Sequence, residues 1–481
     1  MQLTLRDISE ALAAVGEPAP GESFEMDTVA SGYSIDSRTL KPGDLFFAIR
    51  GERLDGHTFI STAFEKGACG AVVAADWAQS PLLRGREGKE ISGRNWLVVA
   101  DTTAALQKLA MHARRRWGGH VVAITGSAGK TTTKEICATL LGASRTVHKS
   151  EGNLNNLYGV PLTLLRVDAG ADVAVIELAM SAREEIRTLT RIAAPNMGVI
   201  TNVNPVHLQF FSSIDEIALA KRELVEELDA NAVAILNADD PRVSGFASCT
   251  RARVVTYGQD RKADVRIENV RMSNLDGSEF DVVLDSGARA PCRLRLLGRH
   301  NVWNAGAAIA AAVQLGMPLV DAARRLELVT PARMRGEILR FSEGFTVIDD
   351  TYNSNPRAMA EVLSAVAAAG GFKRKIVAAG EMLELGTESG ALHAACGRAM
   401  AEAGIAVLIA VQGEAEAMAS AAQAAGMSAR SVFFYRTPAE AGEKLCQIVA
   451  PGDLVLMKGS RGVKMDVALD CLRQKFSVKA H

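Results

Sequence analysis

Short, wholly apolar runs recur along this chain, separated by stretches whose apolar residues repeat every three or four positions. Val121-Val122-Ala123-Ile124 is followed by a segment that places Ile136, Leu140 and Leu141 on one helical face. Buried-strand runs recur at 121–125, 173–177, 198–203 and 232–236 with helical stretches between. That alternation predicts a parallel sheet covered by helices. Three shorter alternating segments at about 264–298 predict a small antiparallel appendage. Leu297-Gly298-Arg299-His300-Asn301 then leads into an alanine-rich helix ending near Gly316-Met317-Pro318.

A second series starts near Pro331, with strands at Thr346-Val347-Ile348, Lys375–Ala378, Val407–Val411, Val432–Phe434 and Leu454–Leu456. The helices between them are rich in Ala, with Gly370, Gly404 and Gly426 at their C-ends, a usual stop signal. This pattern predicts a Rossmann-like open sheet. No GxGxxG follows a strand in it, which argues against a dinucleotide site. Ahead of both series, Leu45–Ile49 and Ala71–Ala74 read as strands, about 60–66 as a helix, and Thr102–Trp117 as a connecting amphipathic helix. The prediction is therefore α/β with three domains: a small N-terminal unit (1–98), a central P-loop-type parallel-sheet domain with the appendage (99–328), and a C-terminal Rossmann-like domain (329–481).

Size agrees, because 481 residues exceed what one core supports. Hydrophobic residues make up 48% of the chain, enough for a sizeable core in each unit. The net charge of -1, from 54 basic and 55 acidic residues, gives no support for a nucleic-acid or membrane-surface partner. Arg114-Arg115-Arg116 ends an amphipathic helix and reads as a solvated face. The seven cysteines show no CxxC or Cys/His spacing and read as buried, reduced thiols. Asp7, Glu10 and Glu17 interrupt the first twenty residues, where a signal peptide would need an apolar core. No 18-residue apolar stretch exists to span a membrane. A soluble, cytoplasmic protein is expected, without membrane insertion and as a monomer.

The most informative chemistry lies in Gly126-Ser127-Ala128-Gly129-Lys130-Thr131-Thr132, between the strand at 121–125 and its helix. Glycines let backbone N–H groups approach phosphates, and the helix N-terminus adds partial positive charge. Lys130 can supply a full charge near the β/γ-phosphates, and the Thr131 hydroxyl can ligate Mg²⁺. The spacing is shorter than the usual P-loop, since Ile124 stands five residues before Gly129. Glu177 ends a strand, so it either holds Mg²⁺ across from Thr131 or caps the next helix. His207, in Asn202-Val203-Asn204-Pro205-Val206-His207, follows another strand of the same sheet and is a candidate metal or phosphate ligand, or a structural loop histidine. Lys221 sits on a helix, where composition alone predicts an exposed side chain. Asp349-Asp350-Thr351-Tyr352-Asn353-Ser354-Asn355-Pro356 either caps a helix through Asn355-Pro356 or turns carboxylates toward a nucleotide ribose. No nucleophilic triad is evident. A nucleotide site without one suits phosphoryl transfer or carboxylate activation.

With these residues in view, the chain resembles the ATP-dependent Mur ligases of peptidoglycan synthesis. The resemblance covers essentially the whole length. Its most specific stretches are Gly152–Thr163, Asp349–Pro356, Gly380-Glu381-Met382-Leu383-Glu384-Leu385-Gly386 and Lys458-Gly459-Ser460-Arg461-Gly462. The shortened loop is that family's version. The resemblance implies an enzyme that uses ATP and Mg²⁺ to join a UDP-N-acetylmuramoyl-tripeptide to D-alanyl-D-alanine through an acyl phosphate, completing the cytoplasmic precursor.

It also implies roles. Lys130 would stabilise the transferring phosphoryl group, Thr131 and Glu177 would hold one Mg²⁺, His207 would serve a second metal, and Lys221 would be the carbamylated lysine. Asn301 and Asn304 would face the adenine, Arg335 the phosphates, and Asp350 and Asn355 the nucleotide from the C-terminal domain. Ser37, Arg38, Gly56 and His57 would bind the UDP-sugar end, and Asn155 and Asn156 the substrate near its reacting carboxylate. Glu381 departs from the family's Asp, Ser354 from Ala and Val206 from Ala. The rival readings are another ligase of the superfamily, adding one amino acid to a muramyl peptide or glutamate to folate, and a P-loop kinase or regulatory ATPase.

Overall fold

Three large sheets and a two-stranded one, Leu3–Thr4 with Val29–Ala30, organise the chain in the computed structural model, which describes residues 1–13, 19–20, 25–52, 54–79, 95–205, 209–211 and 213–479. The N-terminal sheet runs Ala19–Pro20, Trp96–Val99, Gly70–Ala74, Asp44–Phe47, Gly32–Ser34, parallel except for its first member. The C-terminal sheet runs Glu337–Arg340, Thr346–Asp350, Asp453–Lys458, Arg374–Gly380, Val407–Val411, Val432–Tyr435, with only Glu337–Arg340 antiparallel. The expected α/β architecture of parallel sheets is observed.

The central sheet is larger than the sequence pattern suggests. From one edge it runs Arg289–Leu294, Ser278–Leu284, Val265–Met272, Arg253–Gly258, Val233–Asn237, Met197–Ile200, His120–Thr125, Val173–Glu177, Val147–Lys149. Arg253–Gly258 pairs with Val265–Met272 through Tyr257 and Gly258, so the antiparallel strands extend the main sheet instead of standing apart. The parallel members are in register at their carboxyl ends: Glu177 lies opposite Ile124, and Ile200 opposite Thr125. Loops leaving these strands therefore gather along one edge, where ligands of open α/β sheets collect.

Alternation along the central strands divides the core. Val121, Ala123 and Ile176 share one buried cluster with Leu106 and Leu109 of the helix Thr102–Trp117 and with Leu3, Leu5 and Ile8. That helix fastens the N-terminal unit to the central sheet, each buried leucine contributing about 1.5–3 kcal/mol. Val122, Ile124 and Val175 face the other way, onto the alanine-rich helix His300–Gln314. A Cβ at Gly306 would fall 2.7 Å from Ile267 Cδ1, so small residues let this helix lie close to the sheet.

The triple-arginine segment is not wholly a solvated face. Arg114 is buried and donates to the carbonyls of Ala193 and Ala194 and to Asn196 Oδ1, fixing the end of the helix Glu185–Ala193, while Arg115 and Arg116 are exposed. Gly370 does not act as a left-handed stop, because the helix Pro356–Ala368 ends on an extended Ala369. Gly404 and Gly426 do adopt positive φ. All seven cysteines are free; Cys137, Cys292 and Cys396 are buried and the other four only half-buried. Among the described residues, no helix is long and apolar enough to cross a membrane.

Candidate active site

The loop at 126–129 is shaped by its two glycines. Gly126 has φ +149°, and a Cβ there would sit 1.9 Å from Thr201 Oγ1; Gly129 has φ +84°, and its Cβ would sit 2.2 Å from Asn304 Oδ1. Any side chain at either position collides and adopts a disfavoured backbone. The loop following Met197–Ile200 clasps the glycine-rich turn from outside. Asn202 Oδ1 accepts from Ala128 N at 3.0 Å, and Ser127 Oγ donates to the Asn204 carbonyl at 3.0 Å. The helix Lys130–Leu141 begins with no side-chain cap, so its first-turn N–H groups point out of the helix end. Thr132 is half-buried on that turn.

Three elements meet at Glu177. Its Oε2 accepts from Thr131 Oγ1 at 2.8 Å, its Oε1 accepts from Asn155 Nδ2 at 2.9 Å, and the side chain is buried. Lys130 Nζ curls back to donate to the Gly126 carbonyl at 2.8 Å. Burial lowers the proton affinity of Lys130, the charge of Glu177 opposes that effect, and the guanidinium of Arg335 adds to it. Lys221, on the helix Ile214–Glu226, is buried rather than exposed as composition predicted. Burial pushes its ionisation well below the usual lysine value, and the positive charge of Lys130 pushes further in the same direction. An amine in this state is neutral over a wider pH range and can act as a nucleophile.

Asn304, behind the glycine turn, donates to Asn301 Oδ1 at 2.9 Å, and Asn301 Nδ2 donates to the Leu297 carbonyl at 2.7 Å. The C-terminal unit approaches the same edge. Arg335 lies over the Tyr352 ring, 4.1 Å from its centroid, and Arg357 donates to Asn204 Oδ1. Asp350 is held by Lys458 Nζ at 2.5 Å, and Lys458 also reaches the Asn353 carbonyl at 3.0 Å. Asp349 is buried and accepts from both the hydroxyl and the amide of Thr351; burial raises its ionisation above the ordinary carboxylate value. Asn355 takes the capping alternative, its Oδ1 accepting from Ala358 N at 2.9 Å.

Some expected ligands are engaged within the fold. Both ring nitrogens of His57 are taken: Ala74 N–H donates to Nε2 at 3.0 Å, and Nδ1 lies 2.5 Å from Asp55 Oδ1. With its side chain 1% exposed, His57 is a structural bridge and presents no nitrogen to a substrate. Gly56 serves close approach, because a Cβ would meet Ile49 N and O at 2.7 Å. Ser37 is buried with its carbonyl held by Lys66, while exposed Arg38 pairs with Asp36 at 2.7 Å. Asn156 directs its Oδ1 to the amides of Tyr158 and Gly159, leaving only its amide nitrogen for other partners. His207 lies outside the described residues. Glu381 Oε1 accepts from Glu414 N at 3.0 Å.

The site thus brings Lys130, Thr131, Asn155, Glu177, Lys221, Asn304 and Arg335 to one sheet edge. Sequence reasoning passed over Asn202, Asn204 and Ser150. Asn202 and Asn204 carried one signal, position at the end of a strand run of the same sheet, and Ser150 carried none, because the strand before it, Val147–Lys149, is not evident in the sequence. Lys134 gave none, being one lysine among polar helix residues.

Comparison with known proteins agrees along the chain. A family model described as Mur ligase middle domain matches residues 124–312, one described as Mur ligase, glutamate ligase domain matches 334–461, and one described as Mur ligase family, catalytic domain matches 29–114. The chain is 34% identical over 439 residues to the UDP-N-acetylmuramoyl-tripeptide--D-alanyl-D-alanine ligase of Bacillus subtilis (strain 168), covering 91% of this chain and 92% of that one. Among solved structures, MurF from Acinetobacter baumannii superposes with a TM-score of 0.84 at 29% identity, covering 97% of this chain and 98% of that one. MurF ligase from Thermotoga maritima in complex with ADP superposes with a TM-score of 0.78 at 27% identity, covering 93% and 98%.

Proposed function

The chain belongs to the Mur ligase family, and from that membership we infer that it joins UDP-N-acetylmuramoyl-tripeptide to D-alanyl-D-alanine at the expense of ATP. The terminal carboxylate of the tripeptide attacks the γ-phosphorus, and ADP leaves. The amine of the dipeptide then attacks the carbonyl carbon of the acyl phosphate, loses a proton and releases phosphate, leaving a new amide. This completes the precursor in the cytoplasm, and the enzyme works as a monomer.

One observation carries the reading: at the rim of a glycine-rich phosphate loop that ends in Lys130, the buried Glu177 carboxylate accepts from Thr131 on one oxygen and from Asn155 on the other. Lys130 neutralises charge on the phosphoryl group in transit, and the helix N-terminus holds the phosphates. Asn155 sits against Glu177 and orients the attacking carboxylate. Arg335, Asn301 and Asn304 hold the nucleotide. Ser37 and Arg38 contribute to the UDP end, with Gly56 and His57 shaping the turn beneath.

The oxygen-rich pair Thr131 and Glu177 suits Mg²⁺, which asks for one or two protein oxygens and takes the rest from phosphates and water. The described residues contain no cluster of three or more His, Cys, Asp or Glu, as would suit a dedicated protein cage. When bound there, the ion neutralises phosphate charge; His207 would serve a second. Lys221, its proton affinity lowered by burial, reacts through its neutral amine with CO₂ and gives up a proton to form a carbamate, adding an anionic oxygen group to the same edge.

Purified protein supplied with ATP, Mg²⁺, UDP-N-acetylmuramoyl-tripeptide and D-alanyl-D-alanine should yield a product whose mass is the sum of the two substrates less water. Product from single amino acids but not from the dipeptide would assign a sister ligase. Phosphate release without any amide would assign an ATPase.

A further inference from the structure

Lys134 is the feature the reaction scheme leaves unused. It lies one turn beyond Lys130 on the helix Lys130–Leu141, and only 2% of it is exposed. Its ammonium donates to the Ser150 carbonyl at 2.7 Å and lies 3.3 Å from Glu135 Oε1, while Glu135 Oε2 pairs with Lys149. Ser150 is also the residue whose Oγ accepts from Glu177 N at 3.1 Å. Its own N–H donates to the Val175 carbonyl at 3.1 Å. Ser150 therefore stands between the phosphate-loop helix and the strand that ends in Glu177. It is also the root of the segment carrying Asn155, whose amide reaches the Glu177 carboxylate.

A buried ammonium is a costly way to fill space, since a methionine of similar volume is commonly tolerated in place of a buried charge. An ammonium offers what methionine cannot, a fixed donor to one carbonyl. From this chain, Lys134 to Ser150 to Glu177, we propose that Lys134 is a positioning residue that sets the Glu177 carboxylate and the Asn155 loop for the divalent cation and the reacting carboxylate. It touches neither substrate nor metal, and acts through Ser150. This rests on the ligase reading above, and deepens it by naming what holds its metal-binding carboxylate in place.

The test uses full-length protein with Lys134→Met, Ser150→Ala and the double variant. Mn²⁺ binding in the presence of a non-hydrolysable ATP analogue is measured by electron paramagnetic resonance, beside steady-state kinetics and thermal denaturation. Loss of an outer-shell partner typically weakens metal affinity or activity by about 10- to 100-fold. Lys134→Met should weaken Mn²⁺ binding within that range and lower kcat, with KM for D-alanyl-D-alanine unchanged. Ser150→Ala should reproduce the defect, and the double variant should be no worse than the more impaired single one, because the two bonds they break lie in series between Lys134 and Glu177. If Lys134→Met fails to fold, Lys134→Gln, polar but one bond too short to reach the Ser150 carbonyl, carries the test in its place. Parental Mn²⁺ affinity in the variants, or fully multiplicative defects, would overturn the role of Lys134. A parent enzyme that makes no amide would instead overturn the functional reading.

Discussion

Replacing Lys130 by methionine separates what this residue does for the fold from what it does for the reaction. In the fold, the ammonium makes one hydrogen bond, to the Gly126 carbonyl at 2.8 Å. Losing it costs about 1 kcal/mol. Burial and the nearby Arg335 both lower the proton affinity of Lys130, so its positive charge is itself unfavourable in the folded state. Methionine removes that charge at similar length. The two effects offset each other, and the melting temperature should move by no more than a few degrees.

In the reaction, a unit charge about 3 Å from a phosphoryl oxygen interacts by about 5 kcal/mol at an effective dielectric of about 20. Roughly half to three quarters of that would act only as charge shifts in the transition state, so kcat should fall by about 10²- to 10³-fold. Rapid-quench measurement of ADP formation in a single turnover, at saturating ATP, reads this directly. A rate within tenfold of the parent, from a folded variant, would refute the assignment of Lys130 to the moving phosphoryl group.

Glu177→Gln should keep the fold, because the new amide can donate to Thr131 Oγ1 while its oxygen still accepts from Asn155. The lost charge is worth about 1.5–3 kcal/mol, so the Mg²⁺ concentration at half-maximal rate should rise about 10- to 150-fold in a titration of activity. Lys221 has its ionisation lowered by burial and by Lys130. The unfolded chain therefore binds that proton more tightly, and stability should rise with pH from the depressed value up to the ordinary lysine value near 10.4. Urea denaturation of Lys221→Met across that window should show a smaller rise, the part due to Lys130 remaining, and CO₂-free buffer should slow the parent enzyme until bicarbonate is restored. His57→Ala should lower stability by about 2–3 kcal/mol through a lost ring and two lost hydrogen bonds. KM for the UDP-linked substrate should hardly change; a large rise in KM without loss of stability would return His57 to the substrate site.

Much of this was legible because buried parallel strands write themselves as unbroken apolar runs. Val173–Glu177 and Val407–Val411 are buried throughout and were read at those bounds. Val147–Lys149 escaped notice as a short edge strand, half-buried to exposed, with Val147 its only apolar residue. Arg253–Gly258 hid because polar and glycine residues bracket its valines, and missing it made the antiparallel strands look detached. The glycine-rich turn and Glu177 were legible because their chemistry depends on position in the chain and at a strand end. Burial of Lys221, Lys134 and Arg114 was not, since lysine and arginine on helices are usually exposed and only tertiary packing encloses them. His57 looked like a ligand for the converse reason: sequence cannot show that Asp55 and Ala74 occupy both ring nitrogens.

The central claim is that the groups around Lys130 and Glu177 hand the γ-phosphoryl group to a carboxylate before any amide forms. Tripeptide substrate labelled with ¹⁸O in its terminal carboxylate tests this when the released phosphate is examined by mass spectrometry. The account predicts one ¹⁸O atom in each phosphate formed. Unlabelled phosphate accompanying amide product would contradict it.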